Sequence, residues 1–259
     1  MTGEPAVRVT DLTFSYEGDP AVDAVSLTVE QGDFVGVIGP NGGGKTTLLR
    51  LMLGLIQPEK GVVRLLGADP AATRHRVGYV PQETGLNKSF PVAVRDVALM
   101  GLAGRRGLGK RYLRADYLKA DIILERLGLS AVKDRPIGQL SGGQRQKALL
   151  ARAMVADPEM LFLDEPTASI DAAGADDLYE HLRLLNGTGV TVVLVTHNVS
   201  ILSRYVKSVA CINKTLFFHP DGKFDQESIN RTFGCQVDLI AHGVPHRVFH
   251  SHEGGFPHD

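Results

Sequence analysis

Eight residues, Gly39-Pro40-Asn41-Gly42-Gly43-Gly44-Lys45-Thr46, follow the spacing G-x-x-x-x-G-K-[ST]. They stand directly after the apolar run Phe34–Ile38 and open a helical pattern over 45–54. Glycines let backbone N–H groups wrap a phosphate without Cβ clashes, and the following helix turns its positive end toward the same anion. Lys45 is placed to neutralise charge on β- and γ-phosphates, and the Thr46 hydroxyl can ligate Mg²⁺. The bland alternative is a glycine-rich turn. At average glycine content a chance match somewhere in such a chain is on the order of one in a hundred, and the strand–loop–helix context lowers it further. These eight residues and the adjoining Thr47 are therefore candidate phosphate contacts, with ATP and Mg²⁺ as the cofactors they suit.

A second element supplies acids. Met160-Leu161-Phe162-Leu163-Asp164-Glu165-Pro166 reads as a buried strand ending in two carboxylates. Adjacent strand residues face opposite ways, but a bend at the strand end can bring both to one place. There Asp164 would hold Mg²⁺ through water and Glu165 would polarise an attacking water. An Asp-Glu pair can also be no more than a helix N-cap. Beside a phosphate loop the catalytic reading is the stronger one.

The elements that must position these groups form a consistent pattern. Segments 7–10 and 25–29 alternate like strands with one exposed face, whereas Phe34–Ile38, Met160–Asp164 and 190–196 are nearly continuous apolar runs. Such runs belong to strands buried on both faces of a parallel sheet. Helical patterns over 45–54, 141–156 and 172–185 lie between them, and strand–helix–strand alternation argues an α/β fold. From about 92 to 140 the periodicity is helical with no convincing strand, which predicts a helical lobe inserted into the core. Residues 211–219 read as a late hairpin around Asn213-Lys214, and the order weakens after about Lys223.

Bulk composition narrows the partners. The 259 residues carry a net charge of −1, without the basic excess of a duplex binder, so no nucleic-acid partner is expected. Two cysteines, Cys211 and Cys235, are too few for a disulfide framework and fit a reducing compartment. There is no secretory signal at the start and no apolar stretch of roughly 20 residues to cross a bilayer. The expected location is cytoplasmic. No internal repeat is present, so one nucleotide unit is expected.

Leu140-Ser141-Gly142-Gly143-Gln144 makes the pattern specific. Alone it is a serine-capped helix start. Together with the phosphate loop and the acid pair, in this order and separation, residues 6–222 resemble the ATP-binding cassette (ABC) family. The resemblance implies a P-loop NTPase (RecA-like) core, an N-terminal antiparallel β subdomain and an inserted α-helical subdomain at about 90–155. Residues 223–259 would be a C-terminal extension. By the same resemblance Tyr16 stacks on adenine, Gln82 senses Mg²⁺ and the transmembrane partner, Asp171 crosses a dimer interface and His197 is the switch histidine. Taken singly, Tyr16 could be an edge-strand aromatic, Gln82 a turn residue and His197 a polar loop residue.

The family mechanism implied is a head-to-tail homodimer with two ATPs between the cassettes. Each ATP would lie on one chain's phosphate loop and be capped by Ser141, Gly142, Gly143 and Gln144 of the other. Thr46, Gln82 and Asp164 would surround Mg²⁺, while Glu165, His197 and Gln82 serve the attacking water. A polytopic membrane permease and, through it, an extracytoplasmic metal-binding protein would complete the system, with the cassette on the inner face of the membrane. Three departures are Asn198 where many relatives carry Asp, Lys147 where Arg is common, and Gly43 where Ala or Ser is commoner. None removes a catalytic group.

Phe90-Pro91-Val92-Ala93-Val94-Arg95-Asp96-Val97-Ala98-Leu99-Met100-Gly101 is similar to the branch serving zinc, manganese and iron uptake, as are 209–214 and 234–246. That implies import of a transition-metal ion, zinc first. Siderophore or haem uptake, or a soluble ABC ATPase without a transporter, are the alternatives. Five of nine histidines crowd into 242–259. His242, His246, His250 and His252 are candidate Zn²⁺ ligands, since four-residue spacing would share a helix face, although Pro245 works against a helix. A solvated histidine-rich tail is the simpler reading. The basic run Arg105, Arg106, Lys110, Arg111, Arg114 and Lys119 reads first as a solvated face.

Overall fold

Continuous β-branched runs can be buried on both faces only inside a sheet covered by two layers, and the chain builds that arrangement. The computed structural model describes residues 4–82, 91–106, 110–168, 170–197, 202–220, 239–242 and 244–247. Along the chain run β1 (Val7–Tyr16), β2 (Asp19–Val29), β3 (Phe34–Ile38), α1 (Lys45–Met52), β4 (Lys60–Leu65), α2 (Pro70–Thr73) and β5 (Val77–Val80). Then come α3 (Val94–Met100), α4 (Ala103–Arg106), α5 (Arg114–Arg126), α6 (Gly142–Met154), β6 (Met160–Asp164) and α7 (Ala172–Asn186). The remainder is β7 (Thr191–Val195), α8 (Leu202–Tyr205), β8 (Ser208–Asn213), β9 (Thr215–His219), β10 (Leu239–His242) and β11 (Val244–Arg247).

Strands β5-β6-β7-β3-β8-β9 form one six-stranded sheet, parallel except for β9. Every residue of β3, β6 and β7 is buried. Side-chain alternation then decides the layers. Val35, Val37, Met160, Phe162, Val193, Val195, Ala210 and Ile212 join a core with α1 and the antiparallel sheet β2-β1-β4. Phe34, Leu161, Leu163, Val192 and Leu194 face the other way, into a core shared with α3, α5, α6 and α7. The fold is α/β, with an antiparallel β layer on one side and the inserted helices 94–126 on the other. Among the described residues from 92 to 140 there is no strand, as the helical periodicity predicts.

Three of the six basic residues in the run from Arg105 to Lys119 are engaged within the chain. Arg105 donates to the His75 carbonyl at 3.1 Å, Arg106 pairs with the buried Asp116 at 2.6 Å, and Lys119 pairs with Asp157. At the tail, strands β10 and β11 stand where a shared histidine face would need a helix, in line with the obstacle that Pro245 presents. His242 ends β10 and His246 lies in β11, the two strands of an antiparallel hairpin, so the shared helix face for these two does not form. The reason is local: Pro245 lacks a backbone donor and stands opposite Ala241, where a strand tolerates it. His250 and His252 lie outside the described residues. Among the described residues no group of three or more His, Cys, Asp or Glu is set to hold a metal ion.

Gly101 shows how tightly the helical segment is docked. A Cβ there would stand 1.9 Å from the Arg152 carbonyl oxygen and 2.6 Å from Val155 Cγ1, at the end of α6. Gly101→Ala should therefore cost about 2 kcal/mol or more of stability, read as a lower urea midpoint. An unchanged midpoint would show that α3 and α6 separate without penalty.

Candidate functional site

The phosphate loop leaves the central strand β3 and enters α1 through Gly44, which caps the helix at φ 96. Two of its glycines are dictated by neighbouring backbone. A Cβ on Gly39 would sit 1.9 Å from the Ile212 carbonyl oxygen, and one on Gly44 2.3 Å from the Ala21 oxygen. Lys45 follows at the first helical position and is only 6% exposed. Its Nζ donates to the carbonyls of Gly39 and Pro40, each at 3.0 Å, and stands 4.0 Å from Glu165 Oε1. Burial pushes the Lys45 ammonium pKa down, with Glu165 and Asp164 pulling it back up.

The acids arrive from β6, two strands away in the same sheet. Asp164, 1% exposed, accepts a hydrogen bond from Thr46 Oγ1 at 3.2 Å. Glu165 takes a left-handed backbone, φ 45, and its N–H donates to the Val195 carbonyl at 2.9 Å. That turn at the strand end carries both carboxylates to one side. Glu165 is then the hub of the site. Its Oε2 accepts from Gln82 Nε2 at 2.9 Å and lies 3.5 Å from His197 Nδ1.

Tyr16, Asn41, Gly42, Gly43, Gly44, Lys45, Thr46, Thr47, Gln82, Glu165 and His197 line one cavity of about 680 Å³, within the usual size of ligand sites. Gly39, Pro40 and Asp164 stand behind it, bonded to Lys45 and Thr46. Tyr16 is 45% exposed and meets Phe14 edge-on, with ring centroids 4.8 Å apart. Ala21 also lines the cavity; a lone alanine in β2 carries no motif that could have announced it.

Ser141, Gly142, Gly143, Gln144 and Asp171 are elsewhere. They line a second cavity of about 400 Å³ that shares no residue with the first. Ser141 caps α6 reciprocally with Gln144: the Gln144 N–H donates to Ser141 Oγ at 3.3 Å, and Gln144 Oε1 accepts from the Ser141 N–H at 3.2 Å. Asp171 caps α7, accepting from the Gly174 N–H at 3.1 Å. Lys147 and Asp177 pair across α6 and α7 and line the same cavity. Their spacing along two helices gives no sign of that pairing.

Thr46, Gln82 and Asp164 offer hydroxyl, amide and carboxylate oxygens, the hard donors that suit Mg²⁺. Among the described residues the buried Asp164 carboxylate forms no ion pair, and the Lys45 ammonium is bonded to backbone carbonyls. A bound cation would fit there.

Burial holds the Asp164 carboxyl above its ordinary range, against the pull of the Thr46 hydrogen bond. A carboxyl raised in this way contributes stability that is complete below its unfolded value and lost as pH rises through its folded value. Asp164→Asn removes that loss. It should raise the urea midpoint of the nucleotide-free protein near neutral pH, leave little difference in acid, and weaken Mg²⁺-dependent nucleotide binding. A lower midpoint at neutral pH would contradict the assignment.

The family model for ABC transporters matches residues 22–168. A probable metal transport system ATP-binding protein of Thermotoga maritima is 35% identical, covering 95% of this chain and 98% of its own. The zinc uptake system ATP-binding protein ZurA of Listeria innocua is 38% identical, covering 82% and 84%, and the manganese transport system ATP-binding protein MntB of Bacillus subtilis is 36% identical, covering 90% and 94%. Among solved structures, an ABC transporter in an inward-facing conformation superposes with a TM-score of 0.83 at 28% identity, covering 96% of this chain and 97% of that one. A nucleotide-free ATP-binding cassette from an ABC transporter gives 0.75 at 26% identity, covering 88% and 95%. A family match over more than half of the chain, with relatives above 30% identity along most of it, shows that the chain belongs to the ABC transporter family and is an ATPase.

Proposed function

We propose that this ATPase drives uptake of a transition-metal ion, zinc first and manganese or iron next, through a membrane permease. The observation that carries the reading is the joint one: an assembled phosphate and carboxylate site, in a chain whose relatives are named for zinc, manganese and metal transport. The siderophore and haem alternative draws on one name, the solved structure described as of metal-chelate type at 28% identity, whereas the relatives above 30% identity are named for zinc, manganese or metal transport. Among the described residues no helix is long and apolar enough to cross a membrane; in this reading a separate permease would supply the permeation path. The cassette would then sit at the inner membrane face, with an extracytoplasmic binding protein delivering the ion.

In the hydrolytic step Lys45 and the loop N–H groups hold the β- and γ-phosphates, and Tyr16 stacks on the adenine. Thr46, Gln82 and Asp164 would hold Mg²⁺, which supplies charge neutralisation on the phosphate oxygens. Glu165 accepts or orients the proton of the attacking water. Gln82 and His197, both against the same carboxylate oxygen, fix its orientation. The residues 141–144 and Asp171 lie in a separate cavity, which supports their acting on the ATP of a second copy. Residues 6–222 would form the cassette and 223–259 an appended extension, whose histidines remain candidate Zn²⁺ contacts.

Reconstitution with the co-purifying permease in vesicles tests this reading. ATP should drive accumulation of Zn²⁺, or failing that Mn²⁺ or Fe²⁺. Glu165→Gln should lower ATP turnover by about 100-fold or more and stop uptake with it. Turnover in the parent protein without movement of any of the three ions would overturn the metal assignment and keep the ATPase.

A further inference from the structure

The outer wall of the phosphate loop is backbone. The Ile212 carbonyl oxygen would be 1.9 Å from a Cβ on Gly39 and 3.1 Å from one on Gly43, and the Ala21 oxygen closes over Gly44. These carbonyls come from the end of β8 and from β2, and a single residue joins the two. The β8–β9 ladder runs up to the Asn213↔Thr215 pair, so Lys214 alone closes the hairpin. It does so at φ 62, in the left-handed region where glycine is the ordinary occupant. A side chain kept in such a conformation points to something the surrounding contacts require.

Two backbone hydrogen bonds supply that requirement. The Lys214 N–H donates to the Gly43 carbonyl at 3.0 Å, and the Lys214 carbonyl accepts from the Asp23 N–H at 2.8 Å. A trans peptide unit directs its C=O and its N–H to opposite sides. With the Gly43 carbonyl drawn outward to Lys214, the N–H of Gly44 in the same unit is turned the other way, toward the cavity that Gly43 and Gly44 line. The bond from Asp23 ties the same turn to β2, whose partner β1 ends in Tyr16.

We propose that Lys214 is a positioning residue for nucleotide binding: its backbone N–H locks the Gly43–Gly44 peptide in the orientation that offers the Gly44 N–H to a phosphate oxygen. The exposed Lys214 side chain is not among the groups lining the cavity, so the role belongs to the backbone. The proposal rests on the reading of residues 39–47 as the phosphate site.

ADP binding to two altered full-length proteins tests it. Lys214→Gly keeps the N–H and relieves the left-handed backbone. An amide-to-ester replacement at Lys214, introduced by ligation at Cys211, deletes the N–H without the negative φ that a proline would impose. Lys214→Gly should bind ADP within about twofold of the parent, whereas the ester protein should bind about tenfold or more weakly, the worth of one hydrogen bond at a charged ligand. The Gly44 amide resonance should move in the nucleotide-free ester protein, and KM for ATP should change more than kcat. Parent-like ADP affinity in the ester protein would overturn the proposal, and so would an equal loss in Lys214→Gly. Failure of the parent to bind ADP, or Lys45→Ala binding as tightly as the parent, would instead remove the phosphate-loop reading beneath it.

Discussion

An ammonium and a carboxylate are buried at the carboxyl ends of two strands of one sheet, and the rest of the site is arranged around that burden. Lys45 is 6% exposed and Asp164 1%. Taking such charges from water is expensive unless each finds matched partners. Here the matching is incomplete: two carbonyls and, at 4.0 Å, Glu165 Oε1 for the ammonium, one threonine hydroxyl for the carboxylate. Burial accordingly drives the Lys45 pKa down and the Asp164 pKa up, both toward neutrality. A polyphosphate with a divalent cation would supply charge of each sign there, which is why the geometry suits the proposed MgATP. The two apolar layers on the sheet carry the fold while that burden persists.

The same economy governs the second cavity. Ser141 and Gln144 close a capping box, so the start of α6 is held rigid. A Cβ on Gly143 would stand 3.3 Å from Ile170 Cγ2, and one on Gly174 2.6 Å from the same atom, so small residues keep the start of α6 and the start of α7 in contact. Lys147 and Asp177 pair at the wall. A rigid, serine-capped helix start is suited to a phosphate group, yet no residue of this wall borders the cavity of Lys45 and Glu165. Under the proposed function each wall would be half of an ATP site, completed by a second copy of the chain.

Legibility in the sequence followed the range of the interactions. Phe34–Ile38 and Met160–Asp164 were readable as buried strands because β-branched and apolar residues filled both faces. Strands β4 and β5 show no comparable run. Among the described residues β4 has β1 as its one neighbouring strand, and the four residues of β5 include Gly78, whose missing Cβ makes room for the Ala153 carbonyl at 2.6 Å. The bulges of β1, with Asp11 at positive φ, likewise answer to partners rather than to local propensity. At the site, residue types and spacing single out Lys45, Asp164 and Glu165, which the fold brings together. The left-handed turn at Glu165 and its hydrogen bond from Gln82, 83 positions away, exist only after folding. Four-residue histidine spacing suggested a helix at 242–246, and the chain forms a hairpin there because pairing to Ala241 accommodates Pro245 where a helix interior would not.

The claim that each ATP is completed by a second chain is tested most directly by the mass of the Glu165→Gln protein in solution, measured by sedimentation with and without ATP. The account predicts a monomer without nucleotide and with ADP, and a dimer with saturating ATP that a bulky Ser141→Arg substitution abolishes. A chain that stays monomeric at saturating ATP, or a dimer indifferent to Ser141→Arg, would contradict it.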